Sequence, residues 1–416
     1  MKLLSISCLS LFVSLSTSLD LLNGGNTRVG VIPNTVVIDG FRLVENKQRI
    51  RAGHTSYISA LNHLIAQADS WLGKGPWTVT NKTQPPPNGT MHDYASQAPY
   101  WFPSNTTNGC PYVQRDGERN PEVDKYPDHN ARAQMFNSSY ILSLAWYYTG
   151  EARYAKHASL ILQTWFIDPA TAMTPHLSHA QIIPCRNDGR AIGIIDFSME
   201  YTNVLDAAAI LASTNAPGWT KASQRAFMDW NKKFLDWLVN SAFGKEEAGQ
   251  ENNHGTFANM QIASLALFTG DTALSQETCQ VAKSLINSQI RPNGSQPMEL
   301  ARTRSWHYSN FNLGAHLRFA LVAKKVGLDL FSYEGPVGQS LFRATEFLLA
   351  AAGEGQSAWN FQELDFQPYA ATDNVQAAAD AGNRRAQAVV YRLPPPPGGN
   401  IYMLRPAAEQ LDNIAG

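Results

Sequence analysis

At 416 residues, with 44% apolar side chains and a formal net charge of −1, the chain can bury a large core and carries no global charge that would draw it to nucleic acid or an anionic membrane. A polyanionic partner would have to be gripped in a local cleft. Length alone suggests two or more domains, unless a repetitive architecture keeps the whole chain in one.

In chain order, Lys2, the apolar-rich run Leu3 to Val13 and the small residues Ser16 and Ser18 have the layout of a secretory signal peptide, so residues 1–18 are expected to be removed, leaving one domain over 19–416. The apolar run is far shorter than the roughly 20 residues needed to cross a bilayer, and a secreted, extracellular protein with no membrane partner is expected. N-x-Ser/Thr sequons start at Asn81, Asn88, Asn105, Asn137 and Asn293, each a candidate glycosylation site. Such short patterns also arise by chance, but their crowding between Asn81 and Asn137 favours an extracellular eukaryotic chain. With Cys8 gone, three cysteines remain. Cys110 and Cys185 lie in loop-like segments and form the preferred disulfide, whereas Cys279 falls in a helical pattern and reads as a core thiol.

Apolar residues recur at helical spacing over Tyr57 to Leu72, Ala131 to Tyr148, Ala152 to Phe166, Phe197 to Leu211 and Ala222 to Val239. The pattern continues through Thr256 to Phe268, Leu274 to Ile290, Phe311 to Val326, Leu341 to Ala351 and Asn374 to Val390. Strand-like alternation is scarce, so the fold class is all-α. Tyr148-Thr149-Gly150-Glu151 and Phe268-Thr269-Gly270-Asp271 echo one another: a glycine closes one helix and an acidic residue opens the next. Repeated antiparallel helix pairs can curve or close into an (α/α) toroid, although the echo alone is equally compatible with an ordinary helical array. Long loops at Gly73 to Asn130 and Asp168 to Ile195 are expected to lie over a cleft. The run Pro394 to Gly399 reads as a surface loop before a short C-terminal segment.

Two clusters could carry chemistry. Gln250 to Thr256 places Asn253 and His254 where a helix begins, and exposed amides there favour anions. A plain helix cap by Asn252 or Asn253 explains the same residues. About fifty positions later, Arg302, Arg304, Trp306, His307 and Tyr308 crowd one short segment, offering bidentate carboxylate binding, a face for a sugar and a phenol for proton transfer. Singly, each also reads as an ordinary ion pair or core side chain. Together with Asn253 and His254 they suit one reaction. The C5 proton of a 4-linked uronic acid becomes abstractable only when the neighbouring carboxylate is neutralised and the enolate-like charge is stabilised. In β-D-mannuronate or β-D-glucuronate that proton and O4 leave from the same side, so one tyrosine can act as base and then as acid, provided that positive charge from Arg302 and a protonated His254 lowers its pKa.

Asn252-Asn253-His254, Glu299 to Arg302 and Tyr308-Ser309-Asn310-Phe311, in this order and spacing, resemble the alginate lyase superfamily, most closely polysaccharide lyase family 38 and more distantly family 5. The resemblance extends less specifically over Asn81 to Pro103 and Gln181 to Asp196. It implies an (α/α) toroid with a deep cleft, Asn253 and Arg302 as carboxylate neutralisers, His254 as neutraliser or auxiliary base, and Tyr308 as base and acid. The family 5 pattern separates the arginine and tyrosine by one residue more. That favours family 38, which points to alginate, especially poly-mannuronate, or to glucuronan. His92, Tyr94, Tyr100, Trp101, Gln181, Arg190, Arg304 and Trp306 are the candidate substrate-binding positions, with loop packing as the alternative for each. No cofactor is called for. His176-Leu177-Ser178-His179 lacks the glutamate and third ligand of a metal site, so no metal is expected. A monomer meeting an anionic polysaccharide is expected. Two competing readings are an (α/α)-barrel glycoside hydrolase using Asp188, Glu251 or Glu299, and a non-catalytic polyuronate-binding protein.

Overall fold

Helices arranged in hairpins build the molecule, and the two members of each hairpin are buried differently. The computed structural model describes residues 30–412; the signal segment expected at residues 1–18 lies outside them. The helices are α1 (Gly40–Arg51), α2 (Thr55–Trp71), α3 (Asp128–Thr149), α4 (Ala152–Phe166), α5 (Glu200–Ser213), α6 (Lys221–Asn240) and α7 (Ala242–Ala248). They continue as α8 (Asn253–Thr269), α9 (Thr272–Gln289), α10 (Pro297–Leu300), α11 (Ser305–Lys325), α12 (Leu341–Glu354), α13 (Thr372–Asp380) and α14 (Arg384–Val389).

Helices α4, α6, α9 and α12 each bury a single stripe, such as Tyr154, Ala158, Ile161, Leu162 and Trp165 on α4. Helices α3, α5, α8 and α11 are buried around most of their circumference and carry polar groups inward, including Thr202, Asp206, Gln261, Asn312, His316 and Arg318. α3 packs on α5, α5 on α8, α8 on α11 and α11 on α13, while α4, α6, α9 and α12 lie against this inner set. The result is an (α/α) toroid.

The repeated tetrapeptide performs the same turn twice. Gly150 and Gly270 take left-handed conformations, φ 76° and 89°, which a residue with a Cβ adopts only at a cost. Thr149 and Thr269 each donate their hydroxyl to the carbonyl four residues back, and the Asp271 side chain accepts from the Leu274 N–H to open α9. Three features differ from the periodicity. α1 is dominated by charged and polar residues and buries only Gly40, Leu43, Val44 and Asn46, too few to show a stripe. α7 is barely two turns long. The pattern over Asn374 to Val390 is two helices, broken at Gly382 with φ 103°.

The two long loops contain short strands. β1 (Ala95–Gln97) pairs in parallel with β4 (His179–Ile182), and β2 (Trp101–Ser104) pairs antiparallel with β3 (Gly109–Gln114). At three to six residues they are too short for alternation to register in sequence. A disulfide joins Cys110 on β3 to Cys185, stapling the hairpin to the loop after β4, and Cys279 is a buried free thiol. The C-terminal segment is structural. Buried Arg318 on α11 donates to Thr202 and Asn203 of α5 and to Ala408 O and Glu409, and Arg405 pairs with buried Asp373 at 2.6 Å. Among the sequons, Asn81, Asn88, Asn105 and Asn293 are exposed outside the long helices, whereas Asn137 is exposed in the middle of α3 with Ser138 and Ser139 buried beside it.

Candidate active site

A cleft of about 680 Å³ is lined by the starts of α3, α8 and α11 and by the stapled loops. Asn253, His254, Arg302 and Tyr308 all face it, as do Tyr100, Trp101, Gln181 and Arg190.

At the start of α8 the capping group is Asn252, whose Oδ1 accepts the His254 N–H at 3.2 Å. Capping therefore does not consume Asn253 or the His254 ring. Asn253 is held by Glu299, which accepts its backbone N–H at 2.9 Å and its Nδ2 at 2.7 Å. His254 Nδ1 lies 2.7 Å from Glu247 Oε1, so the ring is oriented by a fully buried carboxylate. Donation of Nδ1–H to Glu247 leaves Nε2 for the cleft. Burial pushes the carboxyl groups of both Glu247 and Glu299 up, against the pull of their hydrogen-bonded partners.

Arg302 is clamped by Asp116, with Nε 3.0 and 3.1 Å from its two carboxylate oxygens and Nη2 on the first of them; Thr303 donates N–H and Oγ1 to the same carboxylate. Burial works upward on Asp116, but the hydrogen bonds from Arg302 and Thr303 hold its carboxyl below the ordinary range. The guanidinium carbon sits 3.7 Å from the centroid of the Tyr308 ring. Tyr308 Oη is 2.8 Å from Tyr100 Oη. Burial and Tyr100 push the Tyr308 phenol well up, and Arg302 only partly offsets them. The structure shows the opposite of the expected lowering: the phenol keeps its proton, because removal from water costs the phenolate more than one already paired arginine returns.

On the other wall, Arg190 Nη2 donates to Gln181 Oε1 at 2.6 Å, and Gln181 Nε2 donates to Asp196 at 2.9 Å. Arg190 and Arg186 flank the Trp101 ring at 5.9 and 5.4 Å.

Four positions expected to meet substrate stand elsewhere. Tyr94 is fully buried and donates to Asp196 at 3.0 Å, supporting the Gln181 wall from behind. Trp306 is fully buried, stacked on Phe366 at 4.8 Å and edge-on to Trp359, with its indole N–H on Gln367 O. Arg304, 4% exposed, pairs with Glu363 and Asp365. His92 packs in its loop with Nδ1 2.7 Å from Ala172 O. Glu299, a candidate acid of the hydrolase reading, directs both oxygens to Asn253.

Several cleft residues escaped the sequence reading. His129 and Arg132 open α3 into the cleft; burial and then Arg132 push His129 down to about 4, so it is neutral at ordinary pH. His307, already part of the Arg302–Tyr308 cluster in sequence, is edge-on to Tyr308, and its support was the part missed: Nδ1 lies 2.9 Å from Asp412. Asp116 and Glu247 gave no signal, since acidic residues in a loop or on a short helix are common.

The family model described as alginate lyase matches residues 78–359. A crystal structure of an alginate lyase from Bacteroides ovatus shares 31% identity, covering 91% of this chain and all of that one, with a TM-score of 0.85. Alginate lyase A1-III from Sphingomonas species A1, at 15% identity and a TM-score of 0.58, covers 90% of this chain and 97% of that one. A tetrasaccharide complex of the A1-III enzyme, also 15% identical, has a TM-score of 0.56 over 92% and 98% of the two chains. Those two share the fold. Among curated proteins no match is found. The protein is a polysaccharide lyase. The chain belongs to the alginate lyase family.

Proposed function

We propose that the protein is a secreted, monomeric lyase of the family 38 type that cleaves 1,4-linked polyuronate, either mannuronate-rich alginate or glucuronan, by β-elimination. The observation that carries this reading is the Arg302–Tyr308 stack beside Asn253 and His254 in one cleft. Arg302, Asn253 and His254 neutralise the carboxylate at the reacting sugar and take up the charge that develops as the C5 proton leaves. Tyr308 removes that proton and returns it to O4. Its own resting proton has Tyr100 Oη as the nearest acceptor, and Tyr100 is partly open to solvent. Trp101, Gln181 and Arg190 bind the neighbouring sugars. Same-side elimination by one phenol accommodates mannuronate and glucuronate alike.

The test is incubation with poly-mannuronate, poly-guluronate, glucuronan and pectate, following the ultraviolet absorbance of the new C4=C5 bond. A hydrolase would yield reducing ends without that absorbance, and a binding protein neither. Tyr308→Phe is expected to lower the rate by at least about 10³-fold with the fold retained, since proton transfer contributes roughly 10²–10⁴-fold and here serves two steps. Near-normal turnover would refute the role given to Tyr308.

A further inference from the structure

Asn253 has an unbalanced set of partners. The residue is fully buried and lines the cleft, its Nδ2 and backbone N–H are both held by Glu299, and its Oδ1, among the described residues, has no hydrogen-bond partner. A buried amide oxygen without a donor is costly, and a bare oxygen is the wrong group to set against a uronate carboxylate. Which end of an amide points where is decided by its hydrogen-bonding surroundings, and here a single neighbour decides it.

Glu299 is 1% exposed, on α10, which packs on α11, and it reaches Asn253 at the start of α8. Both Glu299 oxygens accept hydrogen bonds, the arrangement of a carboxylate, yet burial raises its carboxyl and outweighs the Asn253 hydrogen bonds and the nearby Arg302, clamped by Asp116, and His254, held by Glu247. A substrate carboxylate pushes the same way as burial, because a second anion beside a buried carboxylate raises the energy of both.

We propose that Glu299 takes up a proton when the polyuronate binds, and that this proton turns the Asn253 amide over. Neutral Glu299 then donates its O–H to Asn253 Oδ1 and keeps its other oxygen on the Asn253 backbone N–H. Both Nδ2 hydrogens are freed for the substrate carboxylate. The proton comes from water and returns to it when product leaves. Glu299 is thus a positioning residue, acting on the substrate only through Asn253. The proposal rests on the reading that Asn253 meets the substrate carboxylate.

The experiment measures binding-linked protonation. In a Tyr308→Phe background, which stops turnover, titration calorimetry with oligo-mannuronate or oligo-glucuronate in buffers of different ionisation enthalpy reports the protons taken up. Glu299→Gln supplies permanently the N–H that protonated Glu299 supplies on demand. It is therefore expected to bind within about threefold of the parent while taking up about one proton fewer. Any contribution from His254 is common to both proteins and cancels in the difference. Glu299→Ala, which lacks any group for the Asn253 amide, is expected to weaken binding by about tenfold or more. With Tyr308 restored, Glu299→Gln should keep kcat, and Glu299→Ala should raise KM. Unchanged proton uptake in Glu299→Gln, or binding as weak as in Glu299→Ala, would overturn the proposal. Failure of the lyase reading is seen separately, as wild-type protein yielding no double-bond absorbance from any polyuronate, and would remove both.

Discussion

Replacing Asp116 with asparagine should slow the enzyme chiefly through Arg302. The carboxylate receives Arg302 Nε on both oxygens, Arg302 Nη2 and two groups of Thr303. Asparagine keeps the shape but has one acceptor oxygen and turns an NH2 toward the guanidinium. A charge-assisted bond contributes about 1.5–3 kcal/mol when well shielded. The pair is 23% and 28% exposed, so solvent screening takes the figure toward the lower end, and about 2 kcal/mol of hold on Arg302 is lost. At 1.36 kcal/mol per factor of ten, kcat/KM falls about 30-fold, below the roughly 10²–10³ expected if a charge-stabilising donor were removed outright. Initial rates of double-bond formation on poly-mannuronate measure the loss, with Arg302→Ala and the double variant completing a cycle. The Asp116 carboxyl is depressed in the folded protein, so its contribution to stability is present above the unfolded value of about 3.9 and is lost as pH falls through the folded one; Asp116→Asn should lack that acid-limb loss. A rate within twofold of wild type, or effects of the two substitutions that simply add, would refute the clamp.

Trp306→Ala should cost about 3–5 kcal/mol in urea unfolding through loss of a fully buried indole; unchanged stability with a raised KM would instead make Trp306 a sugar platform. Cys110→Ser opens a bond joining positions 75 apart, for which chain entropy sets a ceiling of about 4–5 kcal/mol, and should lower Tm and substrate affinity together because the stapled loops line the cleft. Reductant should reproduce the effect in wild type and add nothing in the variant. His316, buried on α11 against Gln289, is pushed down to about 3 by burial. Its folded pKa lies below the unfolded 6.5, so stability is full above pH 6.5 and falls toward pH 3, by up to on the order of 4 kcal/mol; His316→Gln should flatten that slope in pH-dependent unfolding.

How much of this was legible beforehand depended on whether the signal was local. Helix α4 was read with its observed bounds because one face is apolar and the other polar. The inner helices α8 and α11 are buried nearly all round and carry polar groups toward the centre, so the apolar spacing begins only at Thr256 and Phe311, inside helices that start at Asn253 and Ser305. Site residues were found where chemically distinctive types cluster within a few positions. Their supports were not: Asp116 and Arg302 are 186 positions apart, and His307 and Asp412 are 105 apart, and no local pattern links such pairs.

The sequence by itself determined the helical hairpins, the glycine-closed turns and the candidate set Asn253, His254, Arg302 and Tyr308, because each follows from residue type and short-range spacing. Only the tertiary structure decided which way neighbouring side chains face. Trp306 and Tyr308, two positions apart on α11, point to nearly opposite sides because each residue turns the helix by about 100°. One therefore enters the core against Phe366 and Trp359, and the other stands under Arg302 in the cleft. Either assignment satisfies a local pattern, and only the packing of distant segments around α11 separates them.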